Sequence, residues 1–172
     1  IVGHIGGSEF YNGYLYVAQS VCPSTGTTAN HHVYKYDTNL QLVAQYDIGA
    51  DFTICAGAIA HYNGNFYVAE SYWDNTHNDR IVKYDESFNK VATITLSHQC
   101  PWGSQVIAYI PPLNKFRILC HSTDYIDVDT DFNNSSIQVH ASPFSLQDLA
   151  YLNDNTLLYN DRSGNSIRII TY

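Results

Sequence analysis

The chain has 172 residues, 45% of them apolar and 14% charged, with eight Lys and Arg against sixteen Asp and Glu for a formal net charge of −8. The apolar share excludes a disordered chain, the low charge excludes a coiled coil, and the acidic balance leaves no footprint for nucleic acid or anionic lipid. No apolar run reaches the roughly 18 residues of a membrane span, and fifteen Tyr with no Met favour strands over helices.

In chain order, Ile1-Val2-Gly3-His4-Ile5 precede the first regular strand. The chain opens without Met or a charged leader and reads as a mature form. Phe10-Tyr11 then leads through Asn12-Gly13 into Tyr14-Leu15-Tyr16-Val17-Ala18-Gln19-Ser20, a strong hairpin signal. A polar insertion at 21–30 follows. Val33-Tyr34-Lys35-Tyr36-Asp37 reads as a third strand and Leu42-Val43-Ala44 opens a fourth. The series then returns. His61-Tyr62-Asn63-Gly64-Asn65-Phe66-Tyr67-Val68-Ala69-Glu70-Ser71 repeats it at an offset of 51, and Ile81-Val82-Lys83-Tyr84-Asp85 at an offset of 48. The difference falls in a loop, as expected of true repeats. Weaker copies begin at Val106-Ile107-Ala108-Tyr109 and at Leu149-Ala150-Tyr151-Leu152, each a strand, a tight turn and a second strand.

The units run over 6–49, 54–97, 103–142 and from 146, about four short strands in roughly 45 residues each, with no helical apolar period longer than one turn. This predicts an all-β chain, a small β-propeller of four blades of four antiparallel strands, in one domain over 1–172. The last unit shows three strands, so residues 1–5 are expected to add its outer strand, close the ring and remove the exposed edges. Two chains sharing one larger ring is the rival arrangement.

Blade two reads Gly64-Asn65-Phe66-Tyr67-Val68-Ala69-Glu70-Ser71 and then Asn78-Asp79-Arg80-Ile81-Val82-Lys83-Tyr84-Asp85. It resembles the blade pattern of the NHL-repeat family, clearest over 58–85 and partial over 8–37 and 149–168. The resemblance implies a propeller. It names no activity, because that family includes lyases, sensor domains and RNA-binding scaffolds.

In a meander, the ends of second strands, the second-to-third loops and the connections between blades share one face, here the loop face. Gln19, Glu70, His121 and Asp161 occupy one repeat position at the end of the second strand and are expected to ring the channel mouth. Four different polar residues at one position suggest an asymmetric ligand. Glu70, His121 and Asp161 together are also the candidate ligands for a divalent cation. Trp73 and Trp102 lie on the same face and offer stacking surfaces. Asp127, Asp129 and Asp131 alternate as in the start of a calcium loop, without the glycine and glutamate that complete one.

Four Cys in a chain this size suggest secretion and two disulfides. Adjacency of blades predicts Cys22–Cys55 and Cys100–Cys120, since Cys22–Cys120 would cross the ring. Asn133 and Asn134 are overlapping N-glycosylation acceptors. The function these residues suggest is a secreted binding module whose loop face takes a small polar ligand, a glycan or a protein, with neither nucleic acid nor membrane as partner. The alternatives are a metal-assisted lyase or hydrolase using His121 as acid/base, and a structural subunit forming homo-oligomers through its N-terminal strand.

Overall fold

The computed structural model of the chain describes residues 4–21, 30–72, 76–121, 124–142, 146–153, 156–161, 164 and 166–171. Its strands form four antiparallel sheets, each built from consecutive segments. Blade A holds β1 (His4–Tyr11), β2 (Tyr14–Val21), β3 (Asn30–Tyr36) and β4 (Leu42–Asp47). Blade B holds β5 (Cys55–Tyr62), β6 (Asn65–Ser71), β7 (Arg80–Asp85) and β8 (Lys90–Thr95). Blade C holds β9 (Ser104–Ile110), β10 (Lys115–Cys120), β11 (Asp124–Asp129) and β12 (Gln138–Ala141). Blade D holds β13 (Leu146–Asn153), β14 (Thr156–Asp161) and β15 (Ser166–Thr171). Each sheet is an up-and-down meander, and the four make a four-bladed propeller. Among the described residues no helix is long and apolar enough to cross a membrane.

Two repeated turns set the registers. At Asn12-Gly13 and Asn63-Gly64 both central residues have positive φ, between 48° and 81°, as the tight hairpin turn demands. At the end of the third strand, Asp37 and Asp85 each accept two backbone N–H groups through Oδ1, Asp37 from Asn39 and Gln41 and Asp85 from Ser87 and Asn89. These bonds close a turn whose last residue, Leu40 or Phe88, is left-handed at φ 59° or 60°.

The core lies between blades. Tyr16, Ala18 and Val33 of blade A pack on Ile59, Phe66 and Val82 of blade B. Tyr67 and Ile81 of blade B pack on Phe116, Ile118 and Ile126 of blade C. Blade C meets blade D through Val106 and Leu119 against Leu149, Leu157 and Tyr159. Beside that junction, buried Arg117 donates two 2.7 Å bonds to Asp127 and a third, at 2.5 Å, to the Tyr159 hydroxyl. Both carboxylate oxygens of Asp127 are thereby engaged by the guanidinium. Blade B buries both faces, because Ile81 and Val82 point to opposite sides and are both inaccessible. Blade D instead leaves Ile167 and Ile169 72% and 68% exposed.

The N-terminus differs from expectation. His4 and Ile5 pair with Ser20 and Gln19 and so lengthen the inner strand of blade A, not the outer edge of blade D. Backbone continuity with Phe10 and Tyr11 decides this, since the strand simply starts earlier. Ile1, Val2 and Gly3 lie outside the described residues, and the described part of blade D has three strands.

Candidate functional site

The inner strand of every blade carries an irregularity at the same place. In β5 it is Gly57, between the pairs Ala56–Glu70 and Ala58–Ala69. In β9 it is Gln105, between Ser104–Cys120 and Val106–Leu119. In β13 it is Gln147, between Leu146–Asp161 and Asp148–Asn160, and in β1 it falls between Ile5 and Ser8. The bulges fix the structural repeat. The residue opposite the bulge on the second strand is Gln19, Glu70 or Asp161, as expected, but in blade C it is Cys120; His121 lies one residue beyond.

These positions are buried strand sites. The Glu70 carboxylate accepts from the backbone N–H of Thr53 and Ile54, from the Thr53 hydroxyl and from the Tyr72 hydroxyl. It also pairs with Arg80 Nε at 2.5 Å. Arg80 reaches on to the Asp51 carbonyl. The result is a knot that ties the incoming A-to-B connection to blade B. Cys120 does the same covalently for the B-to-C connection through its disulfide to Cys100. Asp161 pairs with Arg168 Nη2 at 3.1 Å. Glu70 and Asp161 each have a guanidinium counter-charge in their own blade, from Arg80 and Arg168, residues that nothing in the repeat pattern singles out. At this position Glu70 and Cys120 thus anchor the connection entering blade B and blade C, while Asp161 holds the neighbouring strand of its own blade.

The expected Cys100–Cys120 bridge is present, with Cα atoms 4.9 Å apart. Cys55 is disulfide-bonded as well, and Cys22, its expected partner, lies outside the described residues, as does Trp73. Asp79, His98 and Cys100 come together, but the Cys100 sulfur is bonded to Cys120 and offers no thiolate. His98 Nδ1 lies 3.0 Å from Asp79, which also accepts the Cys100 N–H. Burial pushes the Asp79 carboxyl up, and buried His31, 2.9 Å from the Ser20 hydroxyl, is pushed down.

Trp102 stands out on this face, 58% exposed at φ 63°. It is the third residue of the turn Cys100-Pro101-Trp102-Gly103, closed by the Gly103 N–H on the Cys100 carbonyl. That position favours Gly or Asn, so a Trp there is held against its backbone preference. The His121 N–H donates to the Gly103 carbonyl, which sets the half-buried imidazole's residue beside the turn.

The channel itself is pinched at the loop-face end. A Cβ on Gly57 would sit 2.7 Å from the Ser104 carbonyl, and one on Gly6 would strike the Gly57 carbonyl. Toward the Asn-Gly hairpin turns it widens into a cavity of about 530 Å³, bordered by residues from all four blades. Glu9 projects there from β1, and its Oε2 accepts the His61 N–H at 3.1 Å. Desolvation pushes its carboxyl up to about 7. The His61 ring stacks on Tyr11 at 3.5 Å, and Nε2 lies 3.4 Å from Glu86, which accepts the Tyr11 hydroxyl at 2.7 Å.

No protein-family model and no curated protein matches the sequence. Solved structures match in fold. A protein of unknown function from Bacteroides thetaiotaomicron superposes with TM-score 0.63 at 14% identity, covering 91% of this chain and 42% of that one. Glutaminyl cyclase from Myxococcus xanthus gives 0.61 at 13%, covering 92% and 62%. A chain of a nidogen–laminin complex gives 0.59 at 11%, covering 98% and 76%. The chain spans less than half the length of the first and less than two thirds of the second. At these identities the likeness is one of fold.

Proposed function

We propose that the protein is a secreted binding module whose loop face docks a partner protein, with Trp102 as its anchor. Trp102 carries the reading: a large aromatic side chain kept in solvent by a left-handed turn that the Cys100–Cys120 bridge fixes. Rigid aromatic anchors supply most of the energy of many interfaces, about 2–4 kcal/mol each. Gln19, Glu70, His121 and Asp161 belong to the same end of the blades; the first two and Asp161 are buried supports, and His121 lies beside the turn that carries the anchor. The matching chain of the nidogen–laminin complex, solved bound to a protein partner, supports protein docking as a use of this fold. Secretion is supported by the disulfide-bonded cysteines and by Asn133 and Asn134, both exposed and open to glycosylation.

The test is selection of phage-displayed peptides on the immobilised protein. Enriched peptides should bind Trp102→Ala at least tenfold more weakly. Peptides indifferent to that substitution, or no enrichment at all, would refute loop-face docking.

A further inference from the structure

The inner strands share one repeat position, which in blades A, C and D borders the cavity. Three positions before the anchor residue of each second strand stand Tyr16, Tyr67, Arg117 and Leu158, and their cross-strand partners are Glu9, Ala60, Ala108 and Ala150. Three blades use alanine there: Ala108 and Ala150 border the cavity, and Ala60 is packed into the core between blades B and C. Blade A alone puts a carboxylate there. Packing explains the alanines, and it does not explain a glutamate whose carboxyl loses water at that site.

We propose that the axial cavity binds an organic ammonium ion, with its charged nitrogen at the Glu9 carboxylate and its apolar body against Phe10, Leu15 and Val106. The volume of about 530 Å³ suits a small organic molecule. None of the described lining residues is Lys or Arg, so Glu9 meets no protein cation there. Asp148, at the D side of the cavity, adds a second negative charge, and its Oδ1 accepts only the neighbouring Leu149 N–H among the bonds described. The other titratable groups bordering it are His61 and Tyr109. The carboxyl pushed up to about 7 is the mark of an anion without a counter-ion. A bare divalent cation wants six or so oxygen ligands, whereas Glu9 and Asp148 are the only carboxylates among the described lining residues. An ammonium group needs one or two acceptors and tolerates the apolar remainder.

The probes are 2-phenylethylammonium and its uncharged counterpart 2-phenylethanol, titrated at pH 8 into the whole chain with methyl NMR as readout. The ammonium ion should shift the Val106, Ala108 and Ala150 methyl signals and saturate at one equivalent, while the alcohol leaves them unmoved. Glu9→Gln, whose amide oxygen still accepts the His61 N–H, should weaken binding at least tenfold. Ala108→Phe, which fills the cavity and keeps both carboxylates, should abolish it. Absence of binding to the wild-type chain overturns the proposal. So does equal affinity of Glu9→Gln, equal binding of the alcohol, or calcium ions displacing the probe at equimolar concentration. Trp102→Ala should bind the probe normally, which keeps failure here distinct from failure of loop-face docking.

Discussion

Replacing Glu9 by Gln should change the pH dependence of stability in a defined direction. The Glu9 carboxyl titrates near 4.5 in the unfolded chain and is pushed up to about 7 by burial. Between those values the folded state holds a proton that the unfolded state has lost. Stability from this group is therefore complete below pH 4.5 and is lost as pH rises through 7. A gap of about 2.5 pH units corresponds to about 3 kcal/mol at about 1.36 kcal/mol per unit. Gln cannot ionise, occupies the same volume and keeps the bond to the His61 N–H. Glu9→Gln should match wild type near pH 4.5 and exceed it by about 3 kcal/mol at pH 8, or about 6–12 °C in melting temperature for a chain this size. Urea unfolding of both proteins at pH 4.5, 6, 7 and 8 measures it, and the difference between the two curves cancels every other titrating group. A difference that is flat across pH, or a variant weaker than wild type at pH 8, would refute the assignment of a buried, uncompensated carboxylate.

Asp127→Ala should cost about 3–5 kcal/mol in urea unfolding, because it leaves the buried Arg117 guanidinium without its anion; the double change Arg117→Met, Asp127→Leu should cost less than Asp127→Ala alone, and a larger loss would mean the pair is net stabilising. Replacing Cys100 and Cys120 together by Ala should lower stability by about 3 kcal/mol, as expected for a loop of about twenty residues, and should weaken peptide binding with it by freeing the Trp102 turn; retained binding would detach that turn from the bridge.

The propeller was legible because the repeats carry their own punctuation. Asn12-Gly13 and Asn63-Gly64 are turns that few other residue pairs can make, and the period between them is a blade. The Cys100–Cys120 bridge followed from blade adjacency. Three features were not legible for physical reasons. A bulge is one extra residue on one strand, and only the paired registers around it show that the blade C equivalent of Glu70 is Cys120, one residue before His121. Polarity alone favoured the histidine. The role of Glu70 was hidden because its partners, Thr53, Ile54 and Arg80, come from segments that only the folded connection brings together. The need to cover an edge points the N-terminal residues toward blade D, yet local continuity of β1 prevails for His4 and Ile5. Glu9 was overlooked although its signal was in the repeats, as the one acidic residue in a column otherwise filled by Ala60, Ala108 and Ala150.

The uneven covering of the blades has a kinetic counterpart. In a repeat array each unit is held by its own sheet and by the junctions with its neighbours. Blade B is clamped on both sides, and an amide in β6 exchanges with solvent only when two junctions open at once. Blade D rests on blade C through a handful of side chains, with Ile167 and Ile169 left in water. Opening of β15 breaks one junction at most. Deuterium should therefore enter β15 first and β6 last, and a protease added to the native chain should clip within 156–171 while blades A to C survive as a larger fragment. Damage to this molecule spreads from blade D inward.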